Sequence, residues 1–379
     1  MKILFIVPSY KPAFIYGGPI RSIAALCESL VIAGHEVTVY TTRANGLEEL
    51  NAIPGKCYPI EGVDVYYFSR NTKGHSNLSV GLLNHVNATC LQYDIVHIQS
   101  WWNLVALPSA HICLRKSIRP IISLRGSLTD YTFTHRRSIP KRIVHATIGK
   151  FLLKRAILHV TSEKERKEVI HYVPNGVVRT IPNLLEIPSG IVGSHEDRPY
   201  LNMVFLGRID PAKNLEMLLR VLTQLDSVPF KLVIAGEGSP EYVSKLKTES
   251  IKIREITWIG NVEGEEKYKL LAESDVLVLP SHTENFGNVV IEALSQGTPV
   301  MLSSNVGTKD YVIQHNLGWV ISGDEQDWRA GFEQLWKNKA ERESIRLRAP
   351  MCISRDFNRK EQVKLYVDMY QQNLQRRGN

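Results

Sequence analysis

Two tandem α/β units, each a doubly wound parallel sheet, are the fold this sequence predicts. Three observations carry the prediction. Short continuous apolar runs rich in β-branched residues alternate with helical segments along nearly the whole chain. Such runs, unlike apolar–polar alternation, mark strands buried on both faces of a sheet. The series starts twice, on either side of a join rich in Pro, Gly and charge at residues 183–199, NLLEIPSGIVGSHEDRP. Finally, 379 residues exceed one ordinary core and suit two domains of roughly 150–200 residues each.

In the first half the predicted strands are Ile3–Val7, Val37–Tyr40, Val63–Phe68, Ile95–Ile98, Ile121–Leu124 and Ile157–Thr161, with Val178–Ile181 as a seventh. The second half offers Met203–Leu206, Phe230–Ala235, Ile256–Ile259, Val276–Leu279, Val300–Leu302 and Trp319–Ile321. The expected domains are therefore 1–185 and 186–358. Residues from Arg359 to Arg376 read as a polar-amphipathic helix. In open parallel sheets, ligands sit at the carboxyl ends of the strands, so polar residues there are the first candidates for chemistry.

The chain is 44% hydrophobic and 22% charged, which is globular rather than disordered. Its net charge of +8 is unevenly placed. Residues 1–190 hold 22 Lys/Arg against 12 Asp/Glu, and residues 191–379 hold 24 against 26. The basic half should meet an anion: nucleic acid, a membrane surface or a phosphorylated acceptor. No nucleic-acid-binding module is recognisable, so nucleic acid is set aside. The five cysteines are odd in number and without C-x-x-C spacing, as expected of reduced cytosolic thiols. Pro8 cuts the first apolar run shorter than a secretory leader needs, and no run approaches the roughly 20 residues of a membrane span. The expected location is cytoplasmic, and at most peripheral on the inner face of the cell membrane.

The most telling stretch is PSHTENFGNVVIEALSQGTPV, residues 280–300. It sets Glu284 and Glu292 eight residues apart, with Phe286, Gly287, Asn288 and Val289 between them where a loop becomes a helix. A helix N-terminus presents free backbone N–H groups, and two carboxylates around it can grip sugar hydroxyls from two sides. Two glutamates on a charged helix face are the bland alternative; the acid and base of a glycosidase are another. Upstream, Met203–Leu206 runs into GRIDPAKN, with Arg208 after the strand and Lys213 at a helix start. A guanidinium and an ammonium there suit a pyrophosphate. A solvated basic turn is the alternative.

These two segments resemble the paired-glutamate and Arg/Lys motifs of retaining GT-B glycosyltransferases, family four or group 1. The resemblance covers nearly the whole chain and is most specific over residues 203–300. It implies two Rossmann-like domains facing a central cleft, with the C-terminal helix 359–379 crossing back to the first. It implies that Arg208 and Lys213 hold the diphosphate of a nucleotide sugar, UDP- or GDP-linked. Glu292 would accept from the ribose hydroxyls, and Glu284 would bind the donor sugar with the backbone of Phe286, Gly287, Asn288 and Val289. Asn183 aligns with a hinge asparagine, and Glu237–Gly238 and Gly260–Val262 with positions around the nucleotide base.

In the first half, Gly17 and Gly18 precede a helix and let backbone approach a phosphate closely, at the place of the family's glycine loop. Strand Ile95–Ile98 runs into QSWWN, where His97, Trp101 and Trp102 are either packed core or an acceptor platform. Gln99 stands where many relatives have a second histidine. Strand Ile121–Leu124 ends in Arg125–Gly126, where many relatives carry His–Gly and the histidine contacts the donor sugar. An arginine cannot act as a base but can bind a phosphate or an acceptor. The Arg–Gly variant is similar to the subset acting in bacterial surface-polysaccharide assembly. Segment 136–155 holds seven basic residues and no acidic one, with Ile143, Val144, Ile148, Phe151 and Leu152 at helical spacing. It is either a domain helix packed on its sheet or a cationic helix for an anionic membrane surface.

The implied reaction moves a sugar with retention from a nucleotide-sugar donor to a saccharide or lipid-linked saccharide acceptor, in polysaccharide, O-antigen, capsule or glycolipid synthesis. Fixed cations replace a metal, since no Asp-x-Asp occurs. The rivals are a GT-B sugar-nucleotide epimerase, a non-catalytic sugar-nucleotide binder and a dinucleotide oxidoreductase; the last should show a G-x-G-x-x-G fingerprint, absent after the first strand.

Overall fold

The computed structural model describes all residues except 73–76, 135–138, 189, 191–193, 252 and 376–379. The chain divides into two compact units, Met1–Glu186 with Arg359–Asn379, and Ile187–Asn358.

Unit 1 contains β1 (Lys2–Val7), β2 (Glu36–Thr42), β3 (Ala44–Asn45), β4 (Glu48–Glu49), β5 (Cys57–Ile60), β6 (Val63–Phe68), β7 (Ile95–Gln99), β8 (Ile121–Ser123), β9 (Ile157–Val160) and β10 (Val177–Thr180). Its helices are α1 (Gly18–Ile32), α2 (Val80–Thr89), α3 (Ala106–Arg115), α4 (Asp130–Thr134), α5 (Ile139–Val144), α6 (Lys150–Arg155) and α7 (Glu163–Tyr172). The main sheet runs β10-β9-β8-β7-β1-β2-β6-β5, and β3 pairs with β4 as a small ribbon. The order reverses beside β1, the topological switch point where ligands of such sheets bind. Ile3, Phe5 and Val7 pack into one apolar layer, and Leu4 and Ile6 into the other, which is why β1 reads as an unbroken apolar run.

The sheet is not wholly parallel as the sequence suggests: β5 pairs antiparallel with β6. Strand β5 carries Pro59 and is half exposed, so it lacks the apolar run of a central strand and is tolerated at the edge.

Unit 2 contains β11 (Leu201–Leu206), β12 (Phe230–Ala235), β13 (Ile256–Gly260), β14 (Val276–Leu279), β15 (Val300–Ser303) and β16 (Gly318–Ile321). Between and after them lie α8 (Leu215–Thr223), α9 (Pro240–Glu249), α10 (Gly264–Ala272), α11 (Asn288–Ser295), α12 (Lys309–His315), α13 (Glu325–Lys337) and α14 (Lys339–Asp356). The sheet order is β13-β12-β11-β14-β15-β16, and every pair is parallel. The order reverses between β11 and β14, so the loops after these two strands flank the switch point.

The last helix, α15 (Arg359–Gln375), belongs to unit 1. Val363, Tyr366, Met369 and Tyr370 pack it into the layer that holds Ile3, Phe5 and Val7. Its polar tips reach a buried chain. Tyr370 Oη lies 2.8 Å from His97 Nδ1, and His97 Nε2 lies 2.7 Å from Ser123 Oγ. Ser123 Oγ in turn lies 2.6 Å from His159 Nδ1, and His159 Nε2 lies 2.9 Å from the carbonyl of Ile181. Only one direction of donation pairs every proton in this chain. His159 Nε2–H donates to the carbonyl, Ser123 to His159, His97 Nε2–H to Ser123, and Tyr370 to His97. Both imidazoles are neutral in this arrangement. Burial holds His97 well below its ordinary value and takes His159 down to about 3.

His97 is therefore a core histidine, and Trp101 is fully buried in the other apolar layer, so neither belongs to an acceptor platform. Segment 136–155 also departs from one amphipathic face. Arg136, Arg137 and Ser138 lie outside the described residues. A π-helical turn at His145–Gly149 separates α5 from α6 and shifts the register of side chains. Leu152 is buried, while Ile143 and Phe151 are 59% and 50% exposed.

A histidine in the unfolded chain titrates near 6.5. Between that value and about 3 the unfolded chain takes up a proton at His159 that the folded protein does not. Stability should thus be unaffected by this group above pH 7 and fall below pH 6.5, by about 1.4 kcal/mol per pH unit for each such histidine. Urea unfolding at pH 7.5, 6 and 5 measures this. Equal slopes in wild type and His159→Asn would refute the assignment.

Candidate active site

The expected site residues fall into two groups, one in each unit. In unit 2 they gather at the carboxyl ends of β11 and β14. Strand β11 leads through Gly207 to Arg208, which is exposed and has no ion pair or side-chain hydrogen bond among the described residues. The chain then forms a 3₁₀ turn, Pro211–Lys213, capped by Asp210, whose carboxylate accepts from the Ala212 N–H at 3.0 Å. Asn214, in the left-handed conformation at φ 57°, passes from this turn into α8. Proline at the turn's first position and an asparagine tolerant of positive φ are the local reasons for this geometry.

The loops around β11 approach each other closely. A Cβ on Gly236 would lie 1.8 Å from the carbonyl oxygen of Gly207, and one on Gly238 2.0 Å from that of Ile209. Ile209 N–H donates to the carbonyl of Glu237 at 2.7 Å. The segment bearing Arg208 is thereby fastened to the end of β12.

After β14 the chain crosses to the same edge. His282 N–H donates to the carbonyl of Ala212, tying this loop to the Lys213 turn at 2.9 Å. Glu284 then pairs by its backbone with the loop after β15: its N–H donates to Asn305 at 3.2 Å, and its carbonyl accepts from Gly307 at 3.0 Å. Phe286 is buried, stacked edgewise on Phe357 with centroids 6.3 Å apart, and anchors the turn. Gly287 caps α11 at φ 89°, a left-handed conformation that side chains disfavour. A Cβ there would also press Val306 at 3.1 Å. Helix α11 then opens with Asn288 and Val289, both half-buried, and has no acidic residue in its first turn, leaving its positive end for an anion or a polar ligand.

Glu284 and Glu292 are both half-buried and each faces a lysine. Glu284 is ion-paired with Lys213, the two sequence candidates thus touching directly. Glu292 is paired with Lys267 of α10 at 2.9 Å. Lys267 carried no signal in the sequence, because its helix reads as ordinary charged surface. These pairs hold four ionised side chains in place with modest net energy. Sugar and ribose hydroxyls can take the lysines' place on the carboxylates, and phosphate oxygens can take the carboxylates' place on Lys213.

In unit 1, Gly17 caps α1 at φ 72° and Gly18 is the helix's first residue. Arg125, after β8, is half-buried and also has a positive φ of 48°. Its Nε donates to Gln99 Oε1 at 2.9 Å, and its Nη1 to Ser22 Oγ at 3.1 Å and Asn183 Oδ1 at 2.8 Å. Gln99, Ser22 and Asn183 come from β7, α1 and the chain after β10, so Arg125 sits where four segments meet. Glu165, buried in the first turn of α7, accepts from the N–H of Gly126 at 2.6 Å and of Thr161 at 2.7 Å. It shapes the Arg125–Gly126 turn. The Ser162-x-x-Glu165 spacing reads as a helix cap and gives no hint of that longer reach.

Two open α/β units with glycine-rich, cation- and carboxylate-bearing strand ends define a GT-B glycosyltransferase architecture. Residues 193–350 match the family described as "Glycosyl transferases group 1" and residues 16–187 match "Glycosyltransferase Family 4", so the chain belongs to the group 1 glycosyltransferases. It is similar to an uncharacterised glycosyltransferase of Methanocaldococcus jannaschii, 26% identical over 90% of this chain and 93% of the relative. Among solved structures it is similar in fold to sucrose-phosphate synthase of Thermosynechococcus elongatus, with TM-score 0.77 and 17% identity over 98% of this chain and 99% of that one. It is also similar to Anabaena HepE, solved in complex with UDP-glucose, with TM-score 0.73 and 17% identity over 98% and 100% of the two chains.

The Gly287→Ala variant should lose about 1–2 kcal/mol from the left-handed backbone alone. A lower urea midpoint with an unchanged slope is the expected result; an unaltered midpoint would show that the turn can flip without cost.

Proposed function

We propose that this glycosyltransferase takes its sugar from a nucleoside diphosphate donor, UDP- or GDP-linked, and transfers it with retention to a hydroxyl of a saccharide or lipid-linked saccharide. The observation that carries the donor reading is that Arg208 and Lys213 follow β11 while Glu284 and the α11 N-terminus follow the adjacent β14, with Lys213 paired to Glu284 and Glu292 one helical turn further on. Arg208 and Lys213 bind the diphosphate as fixed cations, so no metal ion is required for that charge. Glu292 accepts from the ribose hydroxyls. Glu284, with the backbone of Phe286, Gly287, Asn288 and Val289, binds the donor sugar. Gly17 and Gly18 let the α1 N-terminus approach phosphate. HepE's complex with UDP-glucose supports a nucleotide-sugar donor for a fold of this kind.

In the reaction, the bond from the anomeric carbon to the diphosphate oxygen breaks, and the acceptor oxygen bonds to that carbon on the same face. The acceptor proton passes to the departing diphosphate oxygen. Arg208 and Lys213 stabilise the negative charge that builds there. Removal of bulk water strengthens these contacts and limits hydrolysis.

We further propose that the acceptor lies at an anionic membrane surface, in assembly of a bacterial polysaccharide or glycolipid. Ile139, Ile143 and Phe151 are at least half exposed on α5 and α6, among Lys141, Arg142, Lys154 and Arg155. Apolar side chains beside cations suit the interface of anionic lipids. No helix among the described residues is long and apolar enough to cross a membrane.

The donor reading is tested by thermal shift with UDP, GDP, ADP and NAD. A ligand at about 100 times its dissociation constant stabilises a fold by about 2.7 kcal/mol. One nucleoside diphosphate should raise the midpoint in wild type and fail to do so in Arg208→Ala and Glu292→Ala. A response to NAD alone would overturn the reading. For the membrane, replacing Lys141, Arg142, Lys150 and Lys154 by Gln should weaken binding to phosphatidylglycerol liposomes and spare nucleotide binding. Undiminished liposome binding would remove the membrane from the proposal.

A further inference from the structure

Arg125 carries a charge that the donor reading leaves without a partner. Its guanidinium is half-buried, and its side-chain contacts, Gln99, Ser22 and Asn183, are all neutral oxygens. No carboxylate lies within ion-pair reach of it among the described residues. The titratable groups around it offer no other anion. His97 and His159 are kept neutral by burial, as are Tyr366 and Cys27, whose ordinary values burial pushes up. Glu165 raises the local negative potential but is turned to the N–H groups of Gly126 and Thr161. A desolvated cation held only by neutral oxygens is costly unless an anion completes it.

A second observation points the same way. Gln99 is 0% exposed, and its amide nitrogen has no hydrogen-bond partner among the described residues. Its orientation is not free: Arg125 Nε–H must meet the oxygen, so the N–H₂ group is the one left over. A buried donor without an acceptor is rare and calls for a ligand. Ser22 places the same guanidinium against the first turns of α1, a 15-residue helix with no acid in its first turn. All three are donors, and they follow three adjacent strands: Gln99 ends β7, Arg125 comes after β8 and α1 comes after β1.

We infer that Arg125, with the Gln99 amide and the α1 N-terminus, forms an oxyanion subsite in unit 1 that takes a phosphate or carboxylate group of a substrate. Three of the five guanidinium N–H groups are already donated, and the two on Nη2 remain for an oxyanion oxygen, which either group supplies. The inference rests on the sugar-transfer reading for its biological meaning, and the source of the oxyanion is an acidic sugar or the donor's own diphosphate. The position at which many relatives carry histidine thereby selects a charged substrate in place of a neutral one.

Calorimetric titration of the full chain tests this with glucose 6-phosphate and glucuronate, with glucose as the neutral control and UDP and GDP as the donor probes. Glucose 6-phosphate or glucuronate should bind at least tenfold more tightly than glucose, in wild type and in Arg208→Ala alike. Arg125→Gln should remove that preference. Gln99→Glu should remove it too, because the new carboxylate occupies Arg125, and its thermal midpoint should not fall. A wild type that binds neither acidic sugar, but loses UDP affinity at least tenfold in both Arg125→Gln and Gln99→Glu, assigns the subsite to the donor diphosphate. Acidic-sugar and UDP binding both unchanged by Arg125→Gln and Gln99→Glu would overturn the subsite and leave Arg125 a structural residue. Loss of acidic-sugar binding in Arg208→Ala alone would overturn it as well, placing the anion in unit 2. Absence of both UDP and GDP binding in every form would instead count against the donor reading, while the acidic-sugar titrations still decide the subsite.

Discussion

A buried chain of hydrogen bonds from Tyr370 through His97, Ser123 and His159 to the carbonyl of Ile181 governs unit 1. It joins helix α15 to three adjacent strands, β7, β8 and β9, deep in an apolar layer. Each polar group in it would be costly alone, and the chain satisfies them in sequence. The same side chains set the height of the strand ends above them. Two residues beyond Ser123 comes Arg125, and two beyond His97 comes Gln99. The interior network and the candidate subsite are thus opposite ends of the same strands. A helix that reaches unit 1 only after the chain has built unit 2 completes its core.

Unit 2 solves a different problem with backbone rather than buried side chains. Parallel strands end together at one edge, and their loops must pass each other there. Gly236 and Gly238 allow contact with Gly207 and Ile209 that any Cβ would block. The Glu284 loop is fastened to residues 305–308 by backbone hydrogen bonds. These bonds fix the backbone from which the Glu284 carboxylate projects. The ion pairs with Lys213 and Lys267 keep the Glu284 and Glu292 carboxylates partnered.

The two units also differ in what their charges face. Arg208 is exposed and has no ion pair among the described residues. Arg125 is half-buried and oriented by three neutral oxygens.

Local pattern alone determined much of this protein. The apolar runs located the predicted central strands to within a residue or two, because a strand buried on both faces must be apolar throughout. The Arg208–Lys213 and Glu284–Glu292 segments were legible because loop chemistry is concentrated in short stretches at strand ends. The antiparallel edge strand β5 was not legible, since edge position relaxes the need for an apolar run. Nor were Lys267, Glu165 and the role of Gln99. Each acts on a residue from 25 to 39 positions away, and helical or strand spacing carries no trace of such a partner. Whether His97 and Trp101 were core or platform was likewise decided only by tertiary structure. A histidine in an apolar strand reads the same either way until its hydrogen-bond partners, here Ser123 and Tyr370, are brought to it by folding.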